Sequence, residues 1–121
     1  MTQVLLIEDD HWLAEGMVSR LQAAGYEVVH VAHGYAAIEA IDTQRPDVLV
    51  LDVLLAGTTA FALLHELQSY TDTASIPVIL CTNLAEQFDA KKLESYGVRR
   101  VLDKTTMEPD DVVVAVKAVL A

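Results

Sequence analysis

At 121 residues and 53% hydrophobic content, the chain is long enough for one domain with its own core and too short for two ordinary ones. Its 18 acidic residues against 8 basic ones give a formal charge of −10, which speaks against direct nucleic-acid binding, because that affinity rests on Lys and Arg neutralising phosphates. The apolar runs are far too short to cross a bilayer, and no cationic signal-peptide region precedes the first of them, so no membrane role is expected.

Val4-Leu5-Leu6-Ile7 reads as a first strand, followed at once by Glu8, Asp9 and Asp10. Asp10 suits the N-cap of a helix whose apolar positions Leu13, Met17, Leu21 and Ala24 recur at helical intervals and stop at Gly25. Val28-Val29-His30-Val31 is a second strand, and Ala36, Ala37, Ile38, Ala40 and Ile41 form a second helix that stops before Pro46. The third strand, Val48-Leu49-Val50-Leu51, runs into Asp52, and Phe61, Leu63, Leu64 and Leu67 give a third helical face.

Val78-Ile79-Leu80-Cys81 is a fourth strand with Thr82 at its end. Cys81, the only cysteine, can make no intramolecular disulfide and fits as a small buried hydrophobe, which points to a reducing, cytoplasmic setting. Asn83 and Glu86 have the spacing of a capping box for a fourth helix running towards Leu93 and ending at Gly97. A fifth strand spans Val98 to Leu102, with Lys104 shortly after it, and Pro109, Asp110 and Asp111 suit the first turn of a fifth helix. Val112, Val113, Val114 and Val116 have strand propensity, yet the alternation before them makes this segment a helix. Its valines cannot all face inward, so some apolar area is left over, a hint of a homodimer or partner surface.

The first, third and fourth strands are nearly pure aliphatic, as central parallel strands covered on both faces are. The pattern is (βα)5, a doubly wound α/β domain spanning 1–121, with no repeat, low-complexity tract or linker. In such sheets ligands sit beyond the carboxyl ends of the strands. Glu8, Asp9, Asp52, Thr82 and Lys104 all lie there.

Carboxylates that close together either rise in pKa or share a cation, and Glu8, Asp9 and Asp52 are expected to meet within a few ångströms. Mg²⁺ fits, since it takes oxygen ligands from one or two carboxylates, keeps several waters and then coordinates a phosphate. Lys104 supplies a further positive charge and Thr82 a hydroxyl, which is what the oxygens of a transferring phosphoryl group need. Asp52 is the candidate nucleophile, because a carboxylate can form an aspartyl phosphate.

Four pieces in order resemble the receiver domains of two-component response regulators over essentially the whole chain. They are Leu5-Leu6-Ile7-Glu8-Asp9-Asp10, Pro46 to Asp52 with Gly57 five residues on, Ile76 to Thr82, and Lys104. The resemblance implies a parallel five-stranded sheet of flavodoxin-like order 2-1-3-4-5. It also implies phosphotransfer from a histidine of a sensor kinase, or from a phosphotransfer protein, to Asp52. Mg²⁺ is then held by Asp9, Asp52 and the backbone carbonyl of Leu54, and by Glu8 through water, while Thr82 and Lys104 bind the phosphoryl oxygens. Signalling passes through protein contacts to a downstream target or an output domain. No output domain follows Ala121, so a complete natural chain acts through another protein, and an excised receiver fits the same residues.

Four places depart from the family's pattern: Ala56 and Thr59-Ala60 in the loop after Asp52, Asn83 beside Thr82, Val101 where an aromatic is usual, and Thr105 where a proline follows the lysine in cis. A cis Lys-Thr bond costs about 2.5 to 4 kcal/mol, so Lys104-Thr105 is expected to be trans, with a shifted loop. Leu54 and Leu84 flank the expected path of attacking water, which points to slow self-dephosphorylation.

Plainer readings stand beside these. His11, His30, His33 and His65 share no ligand spacing and read as ordinary surface or partly packed histidines; Trp12 and Phe61 read as packing residues. The departures motivate a rival function, a pseudo-receiver that binds proteins or dimerises without phosphorylation. A second rival is a small enzyme. The aspartate-dependent phosphatases considered need a second Asp where Leu54 stands, and nucleotide binders need a glycine-rich turn that Glu8-Asp9-Asp10-His11 does not offer.

Overall fold

In a computed structural model, which describes residues 1–52, 60–83 and 90–121, five strands pair in parallel. They are β1 (Gln3–Ile7), β2 (Glu27–Val31), β3 (Val48–Asp52), β4 (Val78–Thr82) and β5 (Val98–Asp103), in the order β2-β1-β3-β4-β5 that was expected. Every residue of β1, β3 and β4 is buried, the consequence of crossovers that lay helices on both faces.

Because side chains alternate along a strand, each aliphatic run feeds two cores. Leu5, Ile7, Leu49, Leu51 and Leu80 pack on one face with Ala37 and Ile41 of α2 (Gly34–Thr43) and Leu63, Leu64 and Leu67 of α3 (Ala60–Gln68). Val4, Leu6, Val50, Ile79 and Cys81 pack on the other with Ala14, Met17 and Leu21 of α1 (His11–Ala23) and with residues of the C-terminal helix. Burying each of these large aliphatic side chains contributes about 1.5 to 3 kcal/mol, so the two layers fix where the strand tips point.

The caps are local and specific. Asp10 accepts from the backbone N–H groups of Trp12 at 3.0 Å and Leu13 at 3.2 Å, as expected of an N-cap, and α1 ends before Gly25 at φ +95°. His33 Nδ1 accepts from the Ala36 N–H at 3.3 Å and so caps α2.

Two features differ from the sequence reading, and a third is described only in part. An additional one-turn helix, α4 (Thr71–Ala74), follows α3, tied down by Thr73 Oγ1 donating to the Leu67 carbonyl and by Arg45 Nε donating to the Asp72 carbonyl at 2.7 Å. Four residues carry no helical period, which is why it was not anticipated. Trp12 does not pack: it is 86% exposed, because the inward stripe of α1 is taken by Ala14, Met17 and Leu21. The helix before β5 is described as α5 (Ala90–Ser95), so the expected start at Asn83 and Glu86 lies partly outside the described residues. Its end is as expected, at Gly97 with φ +84°.

Phe61 packs as expected, partly buried with its ring centroid 6.0 Å from that of Tyr96. The valine-rich segment is the helix α6 (Asp111–Leu120), with Val112 and Val116 buried and Val114 exposed. Arg20 of α1 donates to Asp110, just before α6, at 3.0 Å. On the β5 edge the register slips: Val78 pairs with Val98 and Ile79 with Arg100, leaving Arg99 as the extra residue of a bulge.

Candidate functional site

The strand tips bring four of the expected side chains to one place. Glu8 follows β1 and is 1% exposed; Asp52 closes β3 and is 4% exposed; Thr82 closes β4 and is fully buried. Lys104 follows β5, its backbone N–H donating to the Thr82 carbonyl at 2.9 Å. Its ammonium donates to Asp52 Oδ2 at 2.7 Å and to Glu8 Oε2 and Oε1 at 3.0 and 3.1 Å. Asp9 is exposed, yet one oxygen each from Glu8, Asp9 and Asp52 lie within 4.8 Å of one another. The Asp10 side chain is not part of this cluster, being committed to the α1 cap, but its backbone N–H donates to Glu8 Oε1 at 3.3 Å.

Burial sets the electrostatics. Losing water pushes the Glu8 carboxyl up to about 7, and the Asp52 charge adds to this, while the Lys104 hydrogen bond holds it down. Burial works against the charge of Lys104, but its hydrogen bonds to Asp52 and Glu8 outweigh that and raise its pKa. Cys81, one residue before Thr82, is pushed up to about 12 by burial and stays a thiol.

The donor set is therefore all oxygen, with soft sulfur withheld, and it is acidic enough to hold a hard dication. The residues present fit Mg²⁺. Leu54, whose carbonyl was assigned to the same ion, lies outside the described residues, as do Ala56, Gly57, Thr59 and Leu84.

Around the site, the departures take definite forms. Asn83 is exposed, and Val101 sits on the β5 edge, 37% exposed and paired with Leu80. No cis peptide bond occurs among the described residues, so Lys104-Thr105 is trans, as expected. The turn is closed by Asp103, whose Oδ1 accepts from the Thr105 N–H at 2.9 Å and from its hydroxyl at 2.6 Å. These hydrogen bonds hold the Asp103 carboxyl below its usual range.

One residue that the sequence gave no reason to single out also touches the site. His30 Nε2 donates to the backbone carbonyl of Glu8 at 2.8 Å, and the His11 ring meets His30 edge-on with centroids 5.9 Å apart. A contact to a main-chain carbonyl leaves no spacing signature; the only signal was a histidine in the run Val28-Val29-His30-Val31. Trp12, Leu13, Met17, Met107 and Pro109 line a groove beside Lys104.

Comparison with known proteins agrees with this architecture. The family model described as the response regulator receiver domain matches residues 4–117. The chain is 28% identical over 118 residues to the transcriptional regulatory protein BaeR of Escherichia coli O6:H1, covering 98% of this chain and 48% of BaeR, so it spans about half of that relative. It is similar to the signal receiver domain of a signal transduction histidine kinase from Syntrophus aciditrophicus, with TM-score 0.83, 28% identity, and 99% and 90% of the two chains covered. The fold is also that of the receiver domain of sensor histidine kinase PA1611 from Pseudomonas aeruginosa PAO1, a structure with a magnesium ion coordinated in its active-site cleft. There the TM-score is 0.85 at 23% identity, with 98% and 97% of the chains covered.

Proposed function

The chain belongs to the response regulator receiver domains of two-component systems, and from that premise we propose that it accepts a phosphoryl group on Asp52 in a Mg²⁺-dependent reaction. The donor is a phosphohistidine on a sensor kinase or phosphotransfer protein, and the whole of 1–121 acts as one receiver unit. The observation that carries this reading is the Lys104 ammonium held between Asp52 and Glu8, with the Asp9 carboxylate in the same cluster.

Asp52 is the nucleophile: its carboxylate oxygen forms a P–O bond as the P–N bond to the donor imidazole breaks, and the leaving imidazole takes up a proton. Bound Mg²⁺ supplies charge neutralisation for the phosphoryl oxygens and the carboxylates. Asp9 and Asp52 would hold it, with Glu8 through water, joined by the Leu54 carbonyl on the strength of the family's pattern. Lys104, already at hydrogen-bond distance from Asp52, passes to a phosphoryl oxygen and offsets the added charge. Thr82, at the buried end of β4, offers its hydroxyl to another.

Like other receivers, the chain is a signalling module, and its only chemistry is the gain and loss of its own phosphoryl group. Its output passes through protein contacts with a downstream target or output domain. Among the described residues no helix is long and apolar enough to cross a membrane, which agrees with action in the cytoplasm beside a kinase domain.

The test uses the purified chain with Mg²⁺ and a small phosphodonor such as acetyl phosphate, followed by intact mass. A gain of one phosphoryl group, absent in Asp52→Asn and removed by hydroxylamine, is the expected result. No gain, together with Trp12 fluorescence unmoved by Mg²⁺ or by beryllofluoride, would leave the phosphorylation-independent pseudo-receiver as the better account.

A further inference from the structure

Glu8 and Asp9 are held in different ways. The Glu8 side chain is buried against Lys104, whereas Asp9 is exposed and gains no such packing. The direction of the Asp9 carboxylate therefore depends on the two peptides that flank it: the one to Asp10 is held by the Asp10 N–H donating to Glu8 Oε1 at 3.3 Å, and the other joins it to Glu8. Pairing of β1 with β2 ends at Ile7 opposite Val31, and the Glu8 N–H then donates to the Val31 carbonyl at 3.1 Å. Beyond that point the carbonyl of Glu8 is met by His30, at 2.8 Å. A carbonyl can only accept, so Nε2 carries the proton. His11 packs edge-on against the same ring and limits its rotation.

We propose that His30 is a positioning residue for the metal pocket: by pinning the Glu8 carbonyl it fixes the plane of the Glu8–Asp9 peptide and aims the exposed Asp9 carboxylate at the oxygens of Glu8 and Asp52. This rests on the reading of those three carboxylates as Mg²⁺ ligands. It adds a role for a residue on β2, outside the strand tips that supply the ligands. With His30 in place, the ion meets a preset Asp9; without it, the ion must order that peptide itself, and the cost falls on affinity.

The experiment compares the full chain with His30→Leu, which lacks the donor, and His30→Gln, whose amide nitrogen can reach the same carbonyl. Mg²⁺ is titrated by Trp12 fluorescence, and Tm is measured in EDTA. The expected result is Mg²⁺ binding weakened by about 10-fold in His30→Leu and largely restored in His30→Gln, while the two variants share one metal-free Tm.

Wild-type binding with His30→Leu equally tight overturns the inference alone, as does weakening that follows the metal-free Tm and is not rescued by Gln. Wild-type protein that gives no Mg²⁺ response overturns the reading of the site. Should His30→Leu fail to fold, the wild-type imidazole decides: a slowly exchanging Nε2–H resonance that shifts on adding Mg²⁺ supports the contact, and a rapidly exchanging one refutes it.

Discussion

Lys104 Nζ lies 2.7 Å from Asp52 Oδ2 and 3.0 Å from Glu8 Oε2, so a single ammonium bridges two buried carboxylates. Removing it leaves them facing each other in a place with little water. Lys104→Met is expected to lose about 3 kcal/mol at pH 8 in EDTA, the scale of a buried pair stripped of one partner, and less at pH 5, where Glu8 can take up a proton instead. Urea unfolding at the two pH values measures the difference; equal losses would contradict the bridge.

Glu8 gives the site a pH dependence with a definite sign. Its pKa stands at about 7 in the fold against an ordinary 4.5, so between those values the folded chain holds a proton that the unfolded chain has released. Stability from this group therefore falls as pH rises through that window. Lys104, raised above its usual 10.5, has the same sign, its stabilising contribution being lost as pH rises, but only above that pH. Mg²⁺ requires the ionised carboxylate, so its apparent affinity should rise with pH up to about 7, with protons released on binding. Calorimetry in two buffers of different ionisation enthalpy reads that release directly.

Asp52→Asn removes the proposed phosphoacceptor and also the charge that pushes Glu8 upward. The variant should take no phosphoryl group. It should also shift the titration of Glu8 to lower pH, visible by carboxyl NMR in the metal-free protein. A Glu8 titration unchanged by the substitution would separate the two residues electrostatically.

Neighbouring aspartates should behave oppositely. Asp10→Ala breaks the α1 cap and is expected to cost about 1 kcal/mol while sparing Mg²⁺ binding. Asp9→Ala should remove most of the Mg²⁺ response with little effect on metal-free stability, because Asp9 is exposed. Paired denaturation and Mg²⁺ titrations of both variants check the division.

How much of this was legible in the residues follows from what each signal is. The aliphatic runs of β1, β3 and β4 announce strands buried on both faces, and carboxylates directly after β1 and at the end of β3 point to a shared crevice once the sheet is parallel. Lys104 was readable for the same reason. Trp12 was misread because apolar character does not say which side of a helix a residue takes, and here Ala14 and Met17 hold the inward positions. The helix α4 is one turn, too short for a period. His30 acts through a backbone carbonyl, and the trans turn after Lys104 is closed by a single Asp103 oxygen; neither leaves a pattern in the spacing of residue types.

Glu8 and Lys104 are 96 positions apart, and Asp52 and Lys104 are 52 apart. As a ribosome delivers the chain, the two acids are made long before the ammonium that neutralises them, so the charge triad can close only after Lys104 has been added.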